Sequence, residues 1–259
     1  MKRVLLPVAV VATLIALWEV LAQTGALADL LDIRESVSDV IVPAPSDVAT
    51  SLWDDRKLLA ENGWVTLGEV VLGFAISVVA GVAFAVALHL SETLRRAFYP
   101  LLVASQTIPI VAIAPVLVLW LGYGIGPKLF VVALICFFPI TVSTLDGLRS
   151  VDPAAIRMMR TLNADRGTVL RRLELPAALP QFFSGARVAV AIAAIGAVLG
   201  ELVGADSGLG YLITQAQGSL LTARVFAAVV VLSAISIALF ALVSLAERTL
   251  APWGRKELR

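Results

Sequence analysis

The sequence predicts an all-α, polytopic membrane protein with about six transmembrane helices and both termini on the cytoplasmic side. Three observations carry that expectation. Of the 259 residues, 59% are hydrophobic and only 15% charged, and the mean hydropathy is +0.95, far above that of a water-soluble domain. The apolar residues gather into runs that match a bilayer core of about 30 Å, which needs roughly twenty helical residues so that every backbone donor and acceptor is satisfied within the segment. Arginine and lysine collect in alternate connections, as they do where such connections stay in the cytoplasm. No stretch reads as a separate soluble domain, and residues 1–259 are read as one transmembrane unit.

Composition also excludes functions. Twenty Lys plus Arg against nineteen Asp plus Glu leave a net charge of +1, so no basic field exists to attract nucleic acid. The one cysteine, Cys136, and the one histidine, His89, exclude a disulfide framework and most His- or Cys-based metal and triad chemistry; with no ligating partners nearby in the sequence, both read as satisfied core or interface residues rather than ligands. No Gly-x-x-x-x-Gly-Lys-Ser/Thr segment occurs, so the chain lacks the usual cradle for nucleotide phosphates. Neither a catalytic residue nor a metal ligand is assigned.

The expected spans are 4–22, 66–90, 98–121, 129–148, 182–203 and 225–246. The first follows Lys2-Arg3 and competes with a signal peptide, for which Ala26-Leu27-Ala28 resembles a cleavage site; its length favours a retained span. The connection at about 25–63 is acidic, carries the turn-forming Val42-Pro43-Ala44-Pro45-Ser46, and is placed outside. Within it Ser46 or Asp47 is expected to cap a short amphipathic helix through Val48, Leu52 and Trp53, with Trp53 and Trp64 at the headgroup boundary. Arg95 and Arg96, the arginines of 149–181, and the terminal Arg255, Lys256 and Arg259 mark cytoplasmic connections, whereas 204–223 has no Lys or Arg.

Connection 149–181 is the long one, and its residues are those of two short helices at a bend. Asp152 caps the first and Pro153 occupies its first turn, where the missing N–H costs nothing. Asn163 closes it in the left-handed conformation, Asp165 caps the second helix, and Pro176 and Pro180 end that one. The arginine-studded result is a rigid projection suited to a partner protein or, alternatively, to an anionic membrane surface.

Here the residues resemble a known family. Arg157-Met158-Met159, three residues, Asn163, nine residues and Leu173-Glu174-Leu175-Pro176 share the spacing of the EAA loop of ABC importer permeases: Glu-Ala-Ala, three residues, Gly, nine residues, Ile-x-Leu-Pro. The runs Leu175-Pro176-Ala177-Ala178-Leu179-Pro180 and Gly200-Glu201-Leu202-Val203-Gly204-Ala205-Asp206-Ser207-Gly208-Leu209-Gly210 look like the branch serving aliphatic sulfonates, taurine, nitrate and thiamine-precursor pyrimidines. The resemblance implies a type I importer permease fold, two copies of a cytoplasmic ATPase that binds ATP and magnesium, a second permease copy making a homodimer, and an extracytoplasmic substrate-binding protein. It makes Asp152, Pro153, Arg157, Met158, Met159, Asn163, Leu173, Leu175 and Pro176 the ATPase-coupling loop. Arg157 reverses the charge of the family's glutamate, and Asn163 replaces its glycine while still tolerating the left-handed turn.

Pro109 and Pro115 are expected to interrupt the third span and leave carbonyls that must face protein or a cavity. Gln106, Thr107, Pro109, Pro115 and Glu201 are the pore or gate candidates, with Ser105 beside them. Glu201 is placed at the outer mouth, and Asp146 is a carboxylate near a span end. Gly73, Gly81, Gly185, Gly196 and Gly200 are spaced for close helix packing or for a dimer interface. Two other classes compete: a membrane-embedded enzyme, for which no catalytic cluster is seen, and an ion-gradient-driven transporter, at which the prolines hint. The spans are read as offering no basic side chain to hold an anion, which tilts the substrate from sulfonates and nitrate towards a weakly charged or neutral heterocycle such as a pyrimidine precursor of thiamine.

Overall fold

The computed structural model describes residues 2–24 and 42–255, and every regular element within them is helical. The cleavage-like run 26–28, Lys256 and Arg259 lie outside the described residues. The elements are α1 (Lys2–Gln23), α2 (Pro45–Asp54), α3 (Arg56–Leu90), α4 (Glu92–Ser105), α5 (Ile110–Leu121), α6 (Ile125–Arg149), α7 (Pro153–Thr161), α8 (Arg166–Val169), a π turn (Leu170–Glu174), α9 (Leu175–Glu201), α10 (Leu209–Gly218) and α11 (Thr222–Leu250). α3, α6, the continuous run Arg166–Glu201 and α11 are each long and apolar enough to cross a membrane, and α4 with α5 forms a fifth, bent pair. Contacts divide the chain into two compact units, Met1–Val65 with Asp206–Ser233, and Thr66–Ala205 with Ala234–Arg259.

In the first unit polar side chains tie the helix ends together. Glu19 of α1 accepts hydrogen bonds from the Ser46 backbone N–H at 3.0 Å and the Ser46 hydroxyl at 2.8 Å. Ser46 is thereby occupied, and the N-cap of α2 is Ala44 rather than Ser46 or Asp47. Asp47 acts from the third helical position, accepting the Ala44 N–H at 3.0 Å, the reciprocal half of a capping box. Val48 is buried, while Trp53 and Trp64 stay exposed. Asp55, between α2 and α3, takes two 2.8 Å hydrogen bonds from the Arg224 guanidinium, which hold its carboxyl below the usual carboxylate range. Asn62 accepts the Gly208 N–H at 2.8 Å and fixes the turn before α10.

The second unit is organised around α6. In a bilayer, lipid tails are as apolar as leucine, so helices associate through close packing and polar contacts rather than a hydrophobic drive. α3 brings Gly73 against Val132 and Gly81 against Ile140 and Thr141; α9 brings Gly185 against Ser143, Gly196 against Ile135 and Val132, and Gly200 against Lys128. All five glycines therefore lie against α6 within the chain. Gly147 of α6 adds a sixth close approach, because a Cβ there would stand 2.9 Å from the Ala178 Cα and carbonyl oxygen of α9.

The third expected span is not one helix. α4 and α5 meet at 102°, with the break at Gln106–Pro109. Pro109 is the N-cap of α5, whereas Pro115 lies inside α5 without ending it. The Ser105 hydroxyl donates to the Leu102 carbonyl at 2.7 Å and that of Thr107 to the Ala104 carbonyl at 2.8 Å, so both satisfy oxygens freed where α4 ends.

Replacing Gly147 by Val should lower stability by about 1–3 kcal/mol, because the intruding atoms meet backbone that cannot rotate away. Gly68, with open space around its missing Cβ, is the control. Thermal unfolding in detergent should show a lowered midpoint for Gly147→Val and an unchanged or slightly raised one for Gly68→Ala.

Candidate functional site

The projection between α6 and α9 folds as its capping residues dictate. The Asp152 carboxylate accepts the Ala154 N–H at 2.7 Å at the start of α7, and Pro153 occupies the first turn. At the other end the Asn163 N–H bonds to the Arg160 carbonyl at 3.0 Å and the Ala164 N–H to the Met159 carbonyl at 3.1 Å, a Schellman motif. It is closed by Asn163 at φ 59°, so asparagine supplies the left-handed turn. Asp165 then caps the next segment through the Gly167 N–H at 3.1 Å, and its bonds, the Thr168 hydroxyl foremost, keep its carboxyl below the ordinary range.

Beyond that point the structure departs from expectation. The second segment does not stop at Pro176 or Pro180; α8 passes through the π turn straight into α9, making one helix from Arg166 to Glu201. The turn at Leu170–Glu174 opens the helix just before Pro176, so the absent proline N–H and the ring's steric demand fall where the spacing is already wide. The segment after the bend therefore runs on from Arg166 into a membrane-spanning helix without a break.

Two contacts brace this element against the end of α3. Glu174, in the π turn, meets the His89 imidazole at 3.0 Å, with both side chains largely buried. The Arg166 guanidinium donates to the Leu90 carbonyl. His89 is thereby satisfied in the interior, and so is Cys136, whose thiol lies 3.4 Å from the Ala189 carbonyl, as expected of core residues. On the free side of α7 and its end, Arg157, Arg160, Met158 and Leu162 are exposed, the last two at 66% and 72%. Leu173, Leu175 and Pro176 are half-buried in the π turn and the start of α9.

A second cluster lies at the opposite end of α6. Lys128, in its first turn, donates to Glu69 of α3 at 2.8 Å, and the Thr66 hydroxyl donates to Glu201 of α9 at 2.6 Å. All four residues are buried within the chain. The second Glu69 carboxylate oxygen is buried without a hydrogen-bond partner in the structure. The reading that the spans offer no basic side chain is overturned: Lys128 and Arg187 both lie in them, the latter paired with Glu247. Each is matched by a carboxylate because an unpaired charge at that depth is costly. Glu69 fell inside an expected span and Lys128 at the edge of another, so intramembrane charge balance was the available signal for this pair.

The remaining candidates stay apart from these clusters. Gln106, Thr107 and Pro109 are exposed at the break of the bent pair, Pro115 is exposed on α5, and Asp146 is exposed near the end of α6. Among the described residues no group of His, Cys, Asp and Glu is arranged to hold a metal ion.

Comparison with known proteins agrees with this architecture. Residues 77–253 match the family of binding-protein-dependent transport system inner membrane components. The chain is 40% identical to the formylaminopyrimidine transport permease protein ThiX of Halalkalibacterium halodurans, over 84% of this chain and 87% of that one. It is 38% identical to the riboflavin transport system permease protein RibX of Chloroflexus aurantiacus (82% and 80%) and 27% identical to the taurine transport system permease protein TauC of Escherichia coli (97% and 90%). In fold it is similar to an inward-facing structure of the MetNI methionine ABC transporter, with a TM-score of 0.61 and 19% identity over 74% of this chain and 97% of that one. The chain belongs to the binding-protein-dependent inner-membrane family and is a multi-pass permease subunit of an ABC importer.

Proposed function

We propose that this permease moves a small heterocycle of the pyrimidine or related kind inward, and that a separate ATPase drives it by pushing on Asp152–Pro176. The observation that carries the coupling role is the rigid path from the exposed face of α7, through the Schellman turn and the continuous π-bulged helix, into the membrane span α9. Arg157, Met158 and Met159 would meet the ATPase, Asn163 would set the bend, and Leu173, Leu175 and Pro176 would carry the motion onward. His89–Glu174 and Arg166 would pass part of it to α3. ATP and magnesium would bind on the partner, present in two copies; a second permease copy and an extracytoplasmic binding protein complete the assembly. The arginines of 149–181 and the lack of Lys and Arg in 204–223 support a topology with both termini cytoplasmic. Alternating access is then a two-state equilibrium biased by ATP and by the loaded receptor.

For substrate, the relatives that are 40% and 38% identical carry formylaminopyrimidine and riboflavin in their names, whereas the taurine relative is at 27%. The described basic side chains of the spans also favour a weakly charged cargo, since Lys128 and Arg187 are each spent on a carboxylate. Pro109, Pro115, Gln106 and Thr107 at and near the bent pair, together with Glu201, are proposed as pore or gate residues.

Proteoliposomes holding the permease, its ATPase and its binding protein should take up labelled formylaminopyrimidine in an ATP-dependent way and taurine at background. Saturable taurine uptake with none of the pyrimidine would overturn the substrate assignment. In the same system Asn163→Pro should leave ATP hydrolysis but abolish most uptake, because proline cannot adopt φ 59° and has no N–H for the Arg160 carbonyl. Asn163→Gly should transport normally, and Arg157→Glu should change hydrolysis per solute moved without affecting membrane insertion. Wild-type uptake by Asn163→Pro would remove the loop from the coupling path.

A further inference from the structure

α3 meets α6 along a row of residues four apart, Glu69, Gly73, Ser77 and Gly81. Glu69 accepts the Lys128 ammonium at 2.8 Å, a Cβ at Gly73 would meet the Val132 side chain at 2.6 Å, and one at Gly81 would meet that of Ile140 at 3.0 Å. Among the described residues three buried side-chain oxygens have no hydrogen-bond partner, and all three belong to α3 or α6: the second Glu69 oxygen, the Ser77 hydroxyl and the Thr141 hydroxyl. Their residues are 2%, 1% and 0% exposed. The Thr141 oxygen faces α3, 3.1 Å from where a Gly81 Cβ would stand. Ser77 borders a cavity of 450 Å³ between the two helices whose other lining residues, Ile76, Ala80, Leu129, Ala133 and Phe137 among them, are apolar.

Hydroxyls in apolar helices commonly donate to the carbonyl four residues back. Thr144 does so to Ile140 at 2.6 Å on α6, and Ser233 to Val229 at 2.8 Å on α11. Ser77 and Thr141 make no such bond, and the contact of α6 with α9 holds no orphaned oxygen among the described residues. A buried polar group without a partner disfavours the state that holds it, because water would satisfy it. Three of them along one seam favour a state in which the two helices have parted there. We propose that α3 and α6 separate along this row in the other state of the transport cycle, and that Glu69, Ser77 and Thr141 then line a water-filled stretch of the solute's path. The α6–α9 contact stays closed in both states. The inference rests on the two-state reading of transport given above and not on the identity of the cargo.

The test places Ser77→Cys or Thr141→Cys in the whole transporter in lipid nanodiscs and applies a charged maleimide with ADP, or with ATP and vanadate, bound. Thiols react as thiolates, which form in water and not in a dry helix contact. Both variants should be labelled in one nucleotide state and protected in the other. Wild type, whose one thiol, that of Cys136, meets the Ala189 carbonyl of α9, should stay unlabelled in both. Thr141→Val removes the hydroxyl and keeps the shape, so it should raise the thermal midpoint in detergent and, combined with Ser77→Cys, slow labelling at 77 by about tenfold. Protection of both thiols in every state, labelling that is the same with either nucleotide, wild-type labelling as strong as theirs, or a midpoint lowered by Thr141→Val would overturn the proposal. Met158→Cys on the exposed face of α7 separates the two ways of failing. A nucleotide response at 158 with none at 77 and 141 removes the seam alone, whereas no response at any of the three removes the two-state reading along with it.

Discussion

Helix α6 is approached so closely from two sides that side chains larger than a hydrogen cannot stand at the contacts, and the second unit depends on that constraint. α3 and α9 present glycines to it at Gly73, Gly81, Gly185, Gly196 and Gly200, and Gly147 returns the contact to Ala178 near the far end. Because hydrocarbon surroundings give helices no hydrophobic reason to associate, dispersion contact at this distance is the main attraction available. The polar residues lie at the same contacts: Gly200 lets α9 lie against the first turn of α6, where Lys128 reaches Glu69 and Thr66 reaches Glu201.

The two ends of this assembly differ in kind. At the Lys128 end four buried polar side chains are paired across three helices, and removing one partner of the ionic pair would leave a charge whose desolvation costs about 3–5 kcal/mol. At the Arg149 end the backbone leaves α6, turns through α7 and re-enters as a continuous helix, braced on α3 by His89–Glu174 and by Arg166 on the Leu90 carbonyl. The bend at Asn163 is rigid because its hydrogen bonds are backbone to backbone, and the π turn keeps Pro176 inside the helix. α7 is thus linked through the backbone to α9 and, through the braced segment, to α3, while Arg157, Met158 and Leu162 are exposed.

Much of this was legible because short-range rules govern it. Asp152, Pro153, Asn163 and Asp165 each act through backbone groups within four residues, so capping chemistry read from the sequence places the α7 bend correctly. Helix continuity was harder: Pro176 and Pro180 look like terminators until the π turn is seen, and that turn is set by packing rather than by residue type. Likewise the break before Pro109 comes with a 102° change of direction that no local pattern encodes. Charge pairing was missed where the partners are far apart in sequence, as with Glu69 and Lys128, Arg187 and Glu247, and His89 and Glu174. The fold of the loop depends on its caps and its left-handed residue, while Arg157, Met158 and Met159 lie on α7 between them.

The proposed coupling requires α7 to be the surface through which the ATPase acts, and Met158, 66% exposed at its centre, is the place to measure it. A photocrosslinking residue at position 158 of the otherwise intact chain, activated in membranes that contain the whole transporter, should capture the ATPase subunit, with a yield that changes when ATP replaces ADP. Capture of lipid or of another permease copy alone, with no ATPase adduct in either nucleotide state, would contradict it.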